Sequence, residues 1–125
     1  MTFDRLEKGQ SAELEVEVSQ DLTTNRTGRP GDEVLSTPEL LRLMERSCIK
    51  ATDHLLPDGY TTVGYAVDKM RHIAPTKAGS SVTVTAVLEE VDGNRLSYSL
   101  EAFEGQKQIG VASHKRAIIP IEPGS

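Results

Sequence analysis

"STPELLRLMERSCIK", residues 36–50, opens on helix-starting signals and continues with apolar residues at helical spacing. Thr37 fits an N-cap ahead of Pro38 at the first helical position, and Ser36 with Glu39 fits a capping box. "PDG" at 57–59 supplies a stop, so the pattern predicts one helix from about Ser36 to Leu56. At about 100° per residue, Leu40, Met44, Cys48, Ala51 and Leu55 share an arc, while Glu39, Arg42, Arg46, Lys50 and Asp53 lie opposite. Such a helix has an inside and should lie on a sheet. Glu45 breaks the separation, because it follows Met44 directly and borders the apolar arc, while Thr37 projects back toward the arc's centre. Two readings of Glu45 stay open on spacing alone. Its carboxylate bends to water or pairs with a cation such as Arg42, or it is a partly desolvated base whose pKa burial raises.

Outward from the helix, "ELEVEV" at 13–18 alternates apolar and acidic residues, the period of a strand with one wet face. "SQDLTTNRTGRPGDEVL", 19–35, has no sustained period and reads as a long loop of the kind that often serves as a lid or binding segment. In "YTTVGYAVDKMRHIAP", Val63, Tyr65 and Val67 share one face before the alternation slips, which predicts a β-bulge near Asp68 to Arg71. "SVTVTAVLEEV" and "RLSYSLEAF" flank a "DGN" hairpin turn, and "IGVASHKRAIIP" is a last strand before the "EPGS" end, which reads as frayed. Strand, loop, helix and four strands in consecutive antiparallel meander order predict an α+β domain with one long helix on a five-stranded sheet. One helix covers little of such a sheet, so a homodimer at least is expected, with a tetramer as a further option.

The chain of 125 residues fits a single domain, 1–125. Its 37% hydrophobic and 26% charged content is that of a soluble globular protein, and no apolar run approaches the roughly 20 residues needed to span a bilayer. "MTFDRLEKGQ" lacks the apolar core of a secretory signal and Cys48 is the sole cysteine, so a cytoplasmic address is expected. A net charge of −5 argues against nucleic acid as a partner. Arg71, Lys77, Lys115 and Arg116 could still hold the phosphates of a small anionic ligand.

Among the histidines, His54 suits the helix dipole in the last turn, His114 opens the "HKR" run facing either solvent or ligand, and His72 follows the expected bulge. Cys48 lies deep in the apolar arc and reads as an inert thiol. No Cys/His spacing fits a metal site, and the glycines form neither a P-loop nor a dinucleotide-binding turn.

Taken in order, "LSTPELLRLMERSC", "TTVGYAVDKMRHIAPTKAGSSVTVTAVLEEVDGNRLSYSLEAFEG" and "IGVASHKRAII" resemble hotdog-fold acyl-CoA thioesterases, in particular the fluoroacetyl-CoA thioesterase type. The likeness spans roughly residues 10–120. It implies a hotdog fold and a catalytic set of Thr37, Glu45 and His72. It further implies that Arg116 lines the acyl pocket and that the Gly64 backbone faces the substrate. No cofactor is implied, coenzyme A being part of the substrate. Two departures stand out. One residue more separates Gly64 from His72 than in the family pattern, at the place of the period slip. The loop before the helix also lacks the aromatic residues that close over the acyl group in the fluoroacetyl-specific enzymes, so fluoroacetyl-CoA is not the expected substrate.

Thr37 and Glu45, eight positions apart on one helix, stand about 12 Å apart along its axis. They cannot bond within one chain, which predicts a site at a dimer interface, with Glu45 and Thr37 from opposite subunits and His72 between them. In hydrolysis, Glu45 would activate water or orient His72, His72 would do acid/base work, and Thr37 would attack the carbonyl or position water. A module that binds acyl-thioesters without turnover, and a hotdog dehydratase, are the alternative readings.

Overall fold

The period-2 segments become strands and the 3.6-period segment becomes a helix in the computed structural model, which describes residues 3–122. In chain order the elements are β1 (Ser11–Glu17), β2 (Thr23–Thr24), β3 (Val34–Leu35), α1 (Thr37–Thr52), β4 (Tyr60–His72), β5 (Ser81–Asp92), β6 (Arg95–Glu104) and β7 (Lys107–Pro120). The outer ends of the expected 1–125 domain, including all but Glu122 of the "EPGS" tail, lie outside the described residues.

Ser36, not Thr37, is the N-cap of α1: its backbone is extended and its Oγ accepts the Glu39 N–H at 3.3 Å. Thr37 is thereby the first helical residue, and its hydroxyl is left for other work. Leu40, Leu43, Met44, Ser47, Cys48, Ala51 and Thr52 are buried, and a 3-10 turn at Asp53–Leu55 carries the chain on to the end expected near Leu56. Against this stripe the sheet presents Val82, Val84, Ala86 and Leu88 of β5 and Leu96, Tyr98, Leu100 and Ala102 of β6, all buried, while Thr83, Thr85, Ser97 and Ser99 alternate onto the other face. Three polar side chains inside are paired there. Ser47 Oγ donates to Leu43 O at 2.9 Å, Thr52 Oγ1 donates to Cys48 O at 3.2 Å, and the Tyr98 hydroxyl lies 2.6 Å from Thr52 Oγ1.

The five long strands are antiparallel in the order β1-β5-β6-β7-β4, and α1 lies across one face, closest to β1 and β5. This is the helix-on-sheet hotdog arrangement expected from the sequence, with a different strand order. Only β5, β6 and β7 form a meander. β4 pairs with β7 instead of β5, because residues 73–80 carry the chain over the intervening strands, a step of about 14 Å at ~4.8 Å per strand. Alternation identifies a strand but not its neighbour. The 19–35 loop is also more ordered than expected, since β2 and β3 pair as a short ribbon, Thr23 with Leu35 and Thr24 with Val34.

β4 is an edge strand with two irregularities. The slip expected at Asp68 to Arg71 is there, with Lys69 in the left-handed region at φ 55°, and a second register shift falls between Gly64 and Ala66. That second shift splits the face expected for Val63, Tyr65 and Val67. Val63 pairs with Ala117, but Val67 pairs with His114, whose side chain points to the helix side. All three are exposed, at 42%, 45% and 39%, on an edge that no strand among the described residues covers.

Candidate active site

Thr37 and His72 meet within one chain. α1 begins at Thr37 because Ser36 caps it, and β4 delivers His72 just past the slip at Asp68 to Arg71, opposite Gly110 of β7. Gly110 lets the helix come close here: a Cβ on it would stand 2.9 Å from Leu40 Cδ2 and 3.3 Å from Met44 Cε. The Thr37 hydroxyl then lies 2.8 Å from His72 Nδ1. Burial disfavours the charged imidazolium and lowers the His72 pKa below 6.5, so the ring is neutral near neutral pH. Its Nε2 is buried without a hydrogen-bond partner among the described residues. A neutral ring nitrogen at hydrogen-bond distance from a hydroxyl is the arrangement that accepts a proton.

Beside this pair lies a cleft of about 290 Å³, walled by Thr24, Val34 and Leu35 of the ribbon and by Ile73, Ala74 and Pro75 after β4. The ribbon is held over it by backbone bonds from Leu35 N to Thr76 O at 2.8 Å and from Ala78 N to Glu33 O at 3.1 Å. The segment read as a lid or binding loop does border Thr37 and His72. It brings no aromatic side chain, and the cleft's polar groups are hydroxyls and the imidazole.

Glu45, Gly64 and Arg116 come together elsewhere, two turns along α1. Arg116 Nη1 lies 3.9 Å from Glu45 Oε2, and the guanidinium is buried while the carboxylate is partly exposed. Arg42, the partner suggested by helix spacing, pairs with Glu39 at 3.7 Å instead. Arg116 Nε donates to Thr62 Oγ1 at 2.8 Å and Nη2 to Thr62 O at 3.0 Å, and Thr62 Oγ1 in turn donates to Asp53 Oδ1 at 2.8 Å. Being 4% exposed, Arg116 is too deep to meet the phosphates of a small anionic ligand, whereas Arg71, Lys77 and Lys115 are exposed. Gly64 pairs with Arg116 across the strands and is a glycine for want of space, since a Cβ would come within 2.8 Å of His114 Cε1 and 3.2 Å of Arg116 Nη1. Glu45, Gly64, Tyr65, Ala66, Val67 and His114 line a second cleft of about 220 Å³.

The expected site residues thus fall into two groups, Thr37 with His72 and Glu45 with Gly64 and Arg116, separated by the length of two helical turns. His114 and Thr62 belong to the second group, and composition or spacing singled out neither for it. The available signal was strand period. His114 and Arg116 are two apart on β7 and so share a face, across from Gly64. Cys48 is fully buried and its thiol is pushed up to about 12, chiefly by desolvation, as an inert core thiol should be. His54 is exposed in the turn after α1. Among the described residues, no group of three or more His, Cys, Asp or Glu could hold a metal ion, and no helix is long and apolar enough to cross a membrane.

One long helix on a five-stranded antiparallel sheet, with polar clusters at its start and along its flank, defines a domain of the hotdog class. Comparison with known proteins narrows this. A family model for fluoroacetyl-CoA-specific thioesterases matches residues 18–122, and the chain belongs to that family. It is 40% identical over 90 residues to the fluoroacetyl-CoA thioesterase of Streptantibioticus cattleyicolor, a match covering 72% of this chain and 64% of that protein. Among solved structures, it superposes with a TM-score of 0.83 at 32% identity on a point mutant of the fluoroacetyl-CoA-specific thioesterase FlK in complex with fluoroacetate and CoA, covering 96% of this chain and 100% of that one. A hot-dog-like protein from Thermanaerovibrio acidaminovorans gives a TM-score of 0.84 at 26% identity, covering 96% of this chain and 89% of the other.

Proposed function

We propose that this protein is an acyl-CoA thioesterase that hydrolyses a small or medium acyl-CoA at a site completed by a second copy of the chain. The observation that carries the reading is the 2.8 Å contact between the Thr37 hydroxyl and a neutral His72, beside an apolar cleft and on a chain of this family. His72 takes a proton from Thr37 or from water held by it. The oxygen so freed attacks the thioester carbonyl, the carbon–sulfur bond breaks, and coenzyme A leaves as its thiol with the proton that His72 took; where the oxygen is that of Thr37, water then cleaves the acyl-threonine ester, releasing the acid and restoring the hydroxyl. Backbone N–H groups at the start of α1 stabilise the oxyanion. Glu45, beside the Arg116 guanidinium, activates the water or orients the reacting groups from the other subunit. Hydrolysis needs no cofactor beyond the coenzyme A that the substrate carries.

The exposed edge of β4 supports the homodimer, since its apolar side chains and unpaired backbone groups suit a second β4. A tetramer would have to use another surface. The single domain belongs in the cytoplasm, where acyl-CoA is met. Because the ribbon carries no aromatic side chain over the cleft, the acyl group is something other than fluoroacetyl.

Thiol release from a panel of short, branched and aromatic acyl-CoAs tests the activity. Turnover by the wild type, lost in folded Glu45→Gln and His72→Ala variants, is the expected result. Tight binding without thiol release would replace it with the binding-module reading, and loss of an enoyl chromophore without thiol would mean a hydratase. Mixing Thr37→Ala with Glu45→Gln subunits tests the shared site. A mixed dimer regains one intact site of two if the residues come from opposite subunits, about a quarter of wild-type activity for random mixing, and none if they act within one chain.

A further inference from the structure

The imidazole of His114 is 2% exposed beneath the second cleft, and its surroundings dictate which nitrogen carries the proton. Arg116 has donors only, so the 3.2 Å contact from its Nη1 requires a lone pair on His114 Nε2. The proton is then on Nδ1, which donates to Ala66 O at 2.8 Å. That carbonyl stands at the irregularity between Gly64 and Ala66, where the β4–β7 ladder is interrupted. Gly64 lies so close over the pair that any side chain would strike His114. Tyr98 stacks on the ring, with centroids 6.4 Å apart. A charged imidazolium here would aim a proton at Arg116, and burial together with Arg116 holds the His114 pKa down against the pull of Ala66 O and Glu45.

His114 and Glu45 therefore compete for one atom. Arg116 Nη1 is 3.2 Å from His114 Nε2 but 3.9 Å from Glu45 Oε2, beyond the roughly 2.7–2.9 Å of a direct charged hydrogen bond. Thr62 holds Nε and Nη2, so the guanidinium is anchored on three sides. Glu45 feels the positive charge without being bound by it.

We propose that His114, as its neutral Nδ1–H form, is a positioning residue that holds Arg116 back from Glu45, so that the carboxylate stays free to face the reacting groups. The functional consequence rests on the thioesterase reading. Without an acceptor at His114, Arg116 Nη1 turns to Glu45 and closes a direct ion pair, which withdraws the carboxylate from the reaction without emptying the acyl cleft beside Thr37. Turnover should suffer more than binding.

The test compares His114→Leu, which fills space but offers no acceptor, with His114→Gln, whose amide oxygen can accept from Arg116. Both are assayed for kcat and KM on the best acyl-CoA of the panel, and wild-type imidazole nitrogens are read by long-range nitrogen–proton NMR. Expected is a loss in kcat of about 10–100-fold in folded His114→Leu with KM changed less than about threefold, and recovery of most of it in His114→Gln. Equal losses in the two variants, a change in KM alone, or full activity in His114→Leu would overturn the proposal. If His114→Leu does not fold, His114→Gln and the spectrum decide: near-wild-type kcat with a proton on Nδ1 supports the assignment, and a proton on Nε2 overturns it. Absence of thiol release by the wild type would sink the thioesterase reading alone, because the spectrum still judges whether His114 holds Arg116.

Discussion

The amino end of α1 and its middle, two turns apart, carry polar clusters of opposite design. At the end, one neutral hydrogen bond joins Thr37 to His72 at the mouth of an apolar cleft. In the middle, Arg116 is sunk among Thr62, His114 and the backbone, and only the Glu45 carboxylate reaches solvent. A neutral imidazole has a lone pair with which to take a proton as a hydroxyl or water attacks, whereas a buried cation is held in place by everything around it. Under the proposed mechanism, one cluster changes its protonation and the other keeps its charge.

The largest effect should come from the proton-handling end. Thr37→Ala and His72→Ala should each lower kcat by about 10²–10⁴-fold, and the double variant should be little worse than either single one, since the pair acts as a unit. Additive losses would break the contrast with the middle cluster. The pH profile sharpens it. Burial of His72 favours its neutral, proton-accepting form, so the acid limb of kcat/KM should fall below pH 6.5 and vanish from the residual rate of His72→Ala. A limb above that value would mean that the partner chain supplies a charge this chain lacks.

Smaller effects are expected in the middle. Gly64→Ala, which pushes on His114 and Arg116, should lower kcat by roughly tenfold and stability by about 1–3 kcal/mol, read by denaturant unfolding. Half-buried His72 and buried His114 both have pKa values below the unfolded 6.5, so the unfolded chain binds more protons in that window. Their contribution to stability is complete above pH 6.5 and is lost as pH falls through the lower folded values, and His114→Gln should flatten that loss. The least effect should follow an alkylating reagent at pH 8. With its thiol pushed up to about 12 and fully buried, Cys48 in the folded protein should stay unmodified and turnover unchanged.

What was legible in the sequence followed from local period and local chemistry. The helix, the five long strands, the slip at Asp68 to Arg71 and the inert Cys48 all came from spacing. Strand neighbours did not, because the 73–80 crossover that sends β4 to β7 obeys no periodic rule. The β2–β3 ribbon was hidden for a similar reason, since two-residue strands leave no alternation to read. For the site, ordered resemblance drew attention to Thr37, Glu45, His72, Gly64 and Arg116, and the helical rise alone separated Thr37 from Glu45. The cation beside Glu45 was misjudged as Arg42, because local spacing sees only the same helix, while Arg116 arrives from a strand at the other end of the chain. His114 was passed over because its meaning depends on an unforeseen irregularity at Gly64 to Ala66.

Those irregularities also bear on how many copies can join. A straight, exposed edge with apolar side chains invites addition of strand after strand, the route to fibres. β4 is broken at two points and bent by the left-handed Lys69, so only short stretches of it can template another strand. Two copies meeting edge to edge would use up that stretch on both sides at once, and assembly along this edge would stop at a closed pair. The kinks that aim His72 and free the Ala66 carbonyl would then also keep a concentrated solution of the protein from growing into filaments.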